Sequence, residues 1–223
     1  MNYKLVKDIL DLVQEFETEN LNSNYSADIE GFKQWMKSTH SKNSENKEEP
    51  DWEGKEKGRS PESVISTSLL HLNRYAKNYS KSAIQGSDFS TQEDFIYLII
   101  LKSFGSMTKM ELIKRNIHDK SVGIKIIDRL LEKKWINQRN SQSDKRSRIV
   151  SLTQLGEKAL GQQMDKIRQA SKIVTGNLNW EEKMELIRLL QKLDDFHNPI
   201  YHENIDTSEL IDAVYTNYLT TNN

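Results

Sequence analysis

Between Lys109 and Arg148 the chain carries 12 Lys/Arg against 5 Asp/Glu, a local +7 in a protein whose formal net charge is −1. Residues 1–62 carry 9 against 14, or −5, and residues 176–223 carry 3 against 9, or −6. Attraction for phosphate follows local potential more than total charge, so a basic block between acidic flanks fits the nucleic-acid face of a nearly neutral protein. It fits a solvated charged surface as well. Two groups of residues in the block have types suited to reading duplex DNA. Lys120, Ser121, Val122, Ile124 and Lys125 occupy the first turns of an expected helix, the part that reads base edges when a helix enters the major groove. Ser121 can donate or accept a hydrogen bond, and Val122 and Ile124 can touch only thymine methyls. The other reading makes Val122 and Ile124 partly core and Lys125 simply solvated.

The second group lies around the polar loop from Asn140 to Ser147. Arg146 is the foremost candidate, because a guanidinium on a narrow loop can enter the minor groove where negative potential is deepest. Asp144 beside it would orient it without itself touching DNA. Arg139, Lys145 and Arg148 are candidates for phosphate or groove contact, or they keep the loop soluble. Lys109, Lys114 and Arg115, one element earlier, are candidates for backbone contact.

Little points to catalysis. The sequence has no glycine-rich phosphate loop, GxSxG or HExxH motif, and its cysteine count is zero. Zero cysteines exclude disulfides, thiolate metal sites and cysteine-based redox sensing in this chain. The five histidines, at 40, 71, 118, 197 and 202, show no tight ligand spacing; His197, His202 and Glu203 read as ordinary surface rather than a metal cluster. No catalytic residue, metal ligand or cofactor is expected. No run of eighteen apolar residues occurs, and acidic residues interrupt the first stretch, MNYKLVKDILDLVQEF, so the expected location is the cytoplasm.

The elements that must hold these residues follow from periodicity and caps. Leu5, Ile9, Leu12, Val13 and Phe16 predict an amphipathic helix over residues 3–16, and Ile29, Phe32, Trp35 and Met36 a second, short one. The stretch from Ser38 to Glu62 is nearly free of aliphatic residues and holds two of the three prolines, which predicts a mobile linker. Ile65, Leu69, Leu72, Ala76, Tyr79 and Ala83 repeat at 4-3-4-3-4 spacing, the seam of a helix packed along another helix, in a second subunit or in this one. Ser90-Thr91-Gln92-Glu93 has the form of a capping box, as does Thr108-Lys109-Met110-Glu111, and Asp119 can cap a helix running to about Lys134. Two short helices across a tight turn make a helix-turn-helix. Trp135 to Arg139 and Arg148 to Thr153 read as the strands of a hairpin. Helices are expected from Leu155 to about Val174 and from Trp180 to Phe196, the latter ended by Asn198-Pro199, with a last one near Leu210 to Leu219.

Three features together resemble the MarR family of regulators. DKSVGIKIIDRLLEKKWI, Asp119 to Ile136, is similar to that family's recognition helix with its Asp-Arg-Leu turn. SDKRSRIVSLTQLGEKAL, Ser143 to Leu160, resembles its Asp-x-Arg wing tip followed by an apolar strand, Leu-Thr and a glycine. The element order, with long helices before and after the core, is the third. The chain departs from the pattern where Val122 and Ile124 are apolar at positions often polar, and where Gly123 replaces a larger apolar residue. The resemblance implies a mainly α fold with a small β-hairpin wing: a winged helix-turn-helix core plus a helical dimerisation layer. The expected organisation is a helical extension over 1–40, a linker over 41–62, a dimerisation helix over 63–88, the DNA-binding domain over 89–160, and C-terminal dimerisation helices and tail over 161–223. It further implies a homodimer on double-stranded DNA at pseudo-palindromic sites, no membrane partner, and a small aromatic effector whose binding residues the sequence does not identify. A winged-helix module that docks a protein and does not bind DNA is the alternative, favoured by the acidic first forty residues.

Overall fold

The computed structural model describes residues 3–20, 24–43, 49–141 and 146–219, and the chain divides into two compact units, residues 1–64 and 65–223. In the first, α1 (Tyr3–Glu19) and α2 (Ile29–Asn43) meet through an aromatic trio: Phe16, Phe32 and Trp35 lie with ring centroids 5.4–5.7 Å apart. The Trp35 indole N–H donates to the Glu19 carboxylate at 2.8 Å, so the buried ring keeps its polar atom satisfied. The segment expected as a mobile linker holds folded structure in its later part. Trp52 donates its indole N–H to the Arg59 carbonyl at 2.9 Å, with Lys55 over its ring, around a single 3₁₀ turn at Lys55–Lys57. Gly54 and Gly58, at φ 85° and 79°, supply the left-handed positions that let so short a loop close.

The second unit opens with most of α3 (Pro61–Ala83), followed by α4 (Gln92–Phe104), the two-residue strand β1 (Met107–Thr108), α5 (Lys109–Arg115) and α6 (Lys120–Glu132). The hairpin β2 (Ile136–Asn140) and β3 (Arg148–Leu152) comes next, then α7 (Gln154–Val174), α8 (Trp180–Glu203), α9 (Leu210–Val214) and one π turn. The sheet is antiparallel in the order β1-β3-β2, with Met107 opposite Val150 and Ile136 opposite Leu152. Its inward residues join the core of α4, α5, α6 and α7, where Leu98, Leu112, Ile127, Leu130, Val150 and Leu160 are fully buried. β1 goes beyond the two-stranded hairpin expected; two residues are too few to show a period.

Two expectations need correction. The α4 box sits one residue later than the sequence suggested: Thr91 is the N-cap, and Asp94, not Glu93, receives the free backbone N–H groups. The aspartate is preferred because it is fully buried and has a second partner, described below. Nor does Pro199 end α8, which continues through it to Glu203. The lost backbone N–H is offset because the last turn is anchored on both sides: Ile200 is buried, and the Tyr201 hydroxyl donates to the His118 carbonyl at 2.9 Å. No described helix is long and apolar enough to cross a membrane.

Candidate nucleic-acid interface

The helix α5 is fixed at its start by a reciprocal box: Glu111 N–H donates to Thr108 Oγ1 at 3.1 Å, and Thr108 N–H to the Glu111 carboxylate at 2.7 Å. Those bonds from Thr108 hold the Glu111 carboxyl below its ordinary pKa. The turn from α5 to α6 then sets how deeply the second helix seats. A Cβ at Gly123 would stand 2.4 Å from Ile113 Cγ1, so only glycine allows the two helices to approach this closely. The mid-helix glycine, which departs from the family pattern, therefore has a packing reason.

With Gly123, Ile126, Ile127 and Leu130 turned inward, the opposite face of α6 is set by the helical period. Lys120, Ser121 and Lys125 are exposed, and Val122 is 43% exposed. Ile124 is different: it is half-buried against the core, so it belongs more to packing than to a reading face. Asp128 draws Lys109 across from α5 at 3.7 Å, which leaves that lysine largely covered. Arg115 lies over the Phe104 ring at 4.6 Å, and Lys114 is half-exposed.

The far end of α6 is braced from α4 by a pair that sequence reasoning missed. Asp94 is 0% exposed; its carboxylate accepts from the Ser90 and Thr91 N–H groups at 2.8 and 3.3 Å and from Arg129 Nε at 2.8 Å. One acid thus caps α4 and holds α6. A buried carboxylate requires such partners, since desolvation of the bare charge is costly. The helix stops in a Schellman turn, with Lys134 at φ 57° and the Trp135 N–H returning 3.0 Å to the Leu130 carbonyl. Lys133 lies over the Trp135 ring and donates to the Asp88 carbonyl, a structural use of one charge from the basic block.

In the wing, Arg139 and Arg148 are exposed on adjacent strands, and the Arg148 guanidinium donates to Asn140 Oδ1 across the pair. Ser141 N–H to Ser147 O, 3.0 Å, closes the base of the loop. Arg146 is exposed at its edge. Asp144 and Lys145 lie outside the described residues, and with them the proposed orientation of Arg146 by Asp144. Behind the hairpin, Gly156 seats α7 against the start of β2, because a Cβ there would stand 2.1 Å from the Trp135 carbonyl oxygen. Among the described residues, no three His, Asp or Glu side chains gather to hold a metal ion.

The chain is 30% identical over 115 residues to the HTH-type transcriptional regulator BilQ of Clostridium symbiosum, covering 52% of this chain and 79% of that protein. To the HTH-type transcriptional repressor NicR of Pseudomonas putida it is 30% identical over 105 residues, 47% of this chain, and it spans 66% of that repressor's length. No protein-family model matches. Among solved structures, Bordetella bronchiseptica BpsR, whose DNA binding is regulated by 6-hydroxynicotinic acid, matches 61% of this chain and 97% of its own. Its TM-score is 0.56 at 21% identity. A mutant MarR from E. coli complexed with operator DNA matches 58% of this chain and 93% of its own, with TM-score 0.54 at 24% identity. At these identities the structures establish the fold, and the match to BilQ establishes the kinship. This chain belongs to the MarR family of winged helix-turn-helix transcriptional regulators.

Proposed function

We propose that the protein is a cytoplasmic, homodimeric repressor that binds a pseudo-palindromic operator and releases it when a small aromatic effector binds. The observation that carries the DNA-binding part is the exposed row Lys120, Ser121, Val122 and Lys125 on a helix seated by Gly123 and held by Arg129. A face meant only for solvent would not need so tight a seat. Residues 89–160 form the reading unit, and 63–88 with 161–223 supply the dimer layer. Support for that layer is the apolar surface the single chain leaves open: Ile65, Leu69 and Leu72 on α3, and Ile187, Leu190 and Leu193 on α8, are each 40–54% exposed. The wing contacts are Arg139, Arg146 and Arg148 with Lys145, steadied by Asp144. The proposed effector class draws on BpsR with 6-hydroxynicotinic acid and on the organohalide-sensing RdhR, solved with 2,4-dichlorophenol bound. No cofactor is needed for this cycle.

Genome-wide recovery of DNA bound in cells tests the reading. Enriched fragments should share an inverted repeat with half-sites about 10 bp apart or a multiple of it, the spacing of successive major grooves. A second reading, a module that docks a protein instead of DNA, is favoured by one feature: the acidic α1 exposes Leu5, Ile9 and Leu10. Recovery of no common site, with a partner protein retained on α1, would select it.

A further inference from the structure

The turn that delivers the recognition helix is pinned at one residue by two other helices. The His118 ring stacks on Tyr97 of α4, centroids 5.8 Å apart at 24°, and its Nδ1 is 3.0 Å from the Tyr97 hydroxyl. Its Nε2 lies 3.6 Å from the Glu93 carboxylate, also on α4. Its carbonyl accepts the hydroxyl of Tyr201 from α8 at 2.9 Å, and its N–H reaches back 3.3 Å to the Ile113 carbonyl. Asp119 and Lys120, the N-cap and first residue of α6, follow at once.

The proton positions follow from chemistry. Burial, then the charges of Glu93 and Tyr201, push the Tyr97 hydroxyl well above its ordinary pKa, so it remains a donor. The carboxylate beside Nε2 favours the proton there, which leaves Nδ1 as the acceptor for Tyr97. Tyr201 is likewise pushed up by burial and by Asp119, and keeps its proton for the His118 carbonyl.

The residue before the histidine is under strain. Ile117 has φ 52°, a left-handed conformation costly for a β-branched side chain, and it is exposed, so packing of its own side chain does not repay that cost. Such a conformation persists only where its surroundings impose it. Part of what imposes it is α5 itself, which closes in a Schellman turn with the Ile117 N–H on the Lys114 carbonyl at 3.0 Å and the His118 N–H on the Ile113 carbonyl at 3.3 Å. The contacts of the His118 ring and carbonyl then fix that turn against α4 and α8. We propose that His118 is a positioning residue for DNA binding, joining the start of the recognition helix to the C-terminal helix α8 through the strained turn at Ile117. Displacing Tyr201 removes one of the pins, Ile117 relaxes, and Lys120 and Ser121 leave the seat in which they meet the groove. Whatever moves the last turn of α8 is thereby felt at the reading face. The inference rests on the DNA-binding reading given above.

The test uses the full chain and an end-labelled duplex recovered with it from the genome. Tyr201→Phe should weaken binding about tenfold, in the range of ordinary allosteric coupling, with the oligomeric state unchanged. Glycine accepts the left-handed turn without strain, so in an Ile117→Gly background the same substitution should cost less than about threefold. His118→Asn, which keeps an acceptor near Nδ1, should retain more affinity than His118→Phe. In the ¹⁵N spectrum of histidine-labelled protein without DNA, His118 Nδ1 should be unprotonated and should shift in Tyr97→Phe. Equal binding by wild type and Tyr201→Phe, an equal Tyr201→Phe loss in both backgrounds, equal binding by His118→Asn and His118→Phe, or a proton on Nδ1 would each overturn the inference. A wild-type chain that retains no duplex would bring down the regulator reading, and this inference with it.

Discussion

Asp94 gathers donors from Ser90, Thr91 and Arg129 in a place water does not reach, so one side chain ties α4 to α6. Arg129 is 28% exposed in its side chain, so its removal should fall at the lower end of the cost for breaking a buried pair. Arg129→Leu should therefore destabilise the fold by about 3 kcal/mol, because the carboxylate loses its charged partner and stays buried. Urea unfolding followed by tryptophan fluorescence measures it, and a loss below about 1 kcal/mol would mean that Asp94 is satisfied by the α4 backbone alone. Arg146, exposed in the wing, is the proposed minor-groove contact. Arg146→Ala should weaken duplex binding and lower the slope of log affinity against log salt by about one. An unchanged slope would show that Arg146 meets no phosphate. Neither residue's role was equally open to sequence reading: the Arg146 wing has a local signature, whereas Asp94 and Arg129 are 35 positions apart and nothing local links them.

Helices α5 and α6 are held together by the absence of a side chain. Gly123→Ala would place a methyl 2.4 Å from Ile113, which must shift or be pushed off its rotamer. The expected cost is about 1–3 kcal/mol, in addition to distortion of the reading face, and Ile113→Val should recover part of it. A neutral Gly123→Ala in thermal unfolding would refute the close approach. Periodicity and caps made most elements legible, with α5, α6, the hairpin and α7 starting within a residue of the positions expected. The departures share one cause, which is tertiary contact overriding a local signal. Pro199 reads as a stop until Tyr201 and Ile200 anchor the turn beyond it, and Ser90-Glu93 reads as the α4 box until Arg129 of α6 selects the buried Asp94. Ile124 has two readings, a thymine-methyl contact or part of the core, because sequence shows a helix's period but not how wide its buried stripe is; it is half-buried against the core.

At the scale of the whole molecule the organising fact is the separation of charge along the chain: +7 between Lys109 and Arg148, with −5 over residues 1–62 and −6 over 176–223. Not all of the basic block is free for DNA. Arg129 and Lys133 hold the fold together, and Lys109 is paired with Asp128, so the outward charges lie mainly on α6 and the wing. In the proposed dimer, the apolar faces left open on α3 and α8 would bring two such surfaces to one duplex. Fluorescence-anisotropy titration of a recovered duplex with the full chain, repeated between about 50 and 200 mM salt, tests this most directly. With two copies per duplex and several phosphates neutralised by each, log affinity should fall linearly with log salt at a slope steeper than about −4. Saturation at one chain per duplex, or an affinity indifferent to salt, would contradict the account.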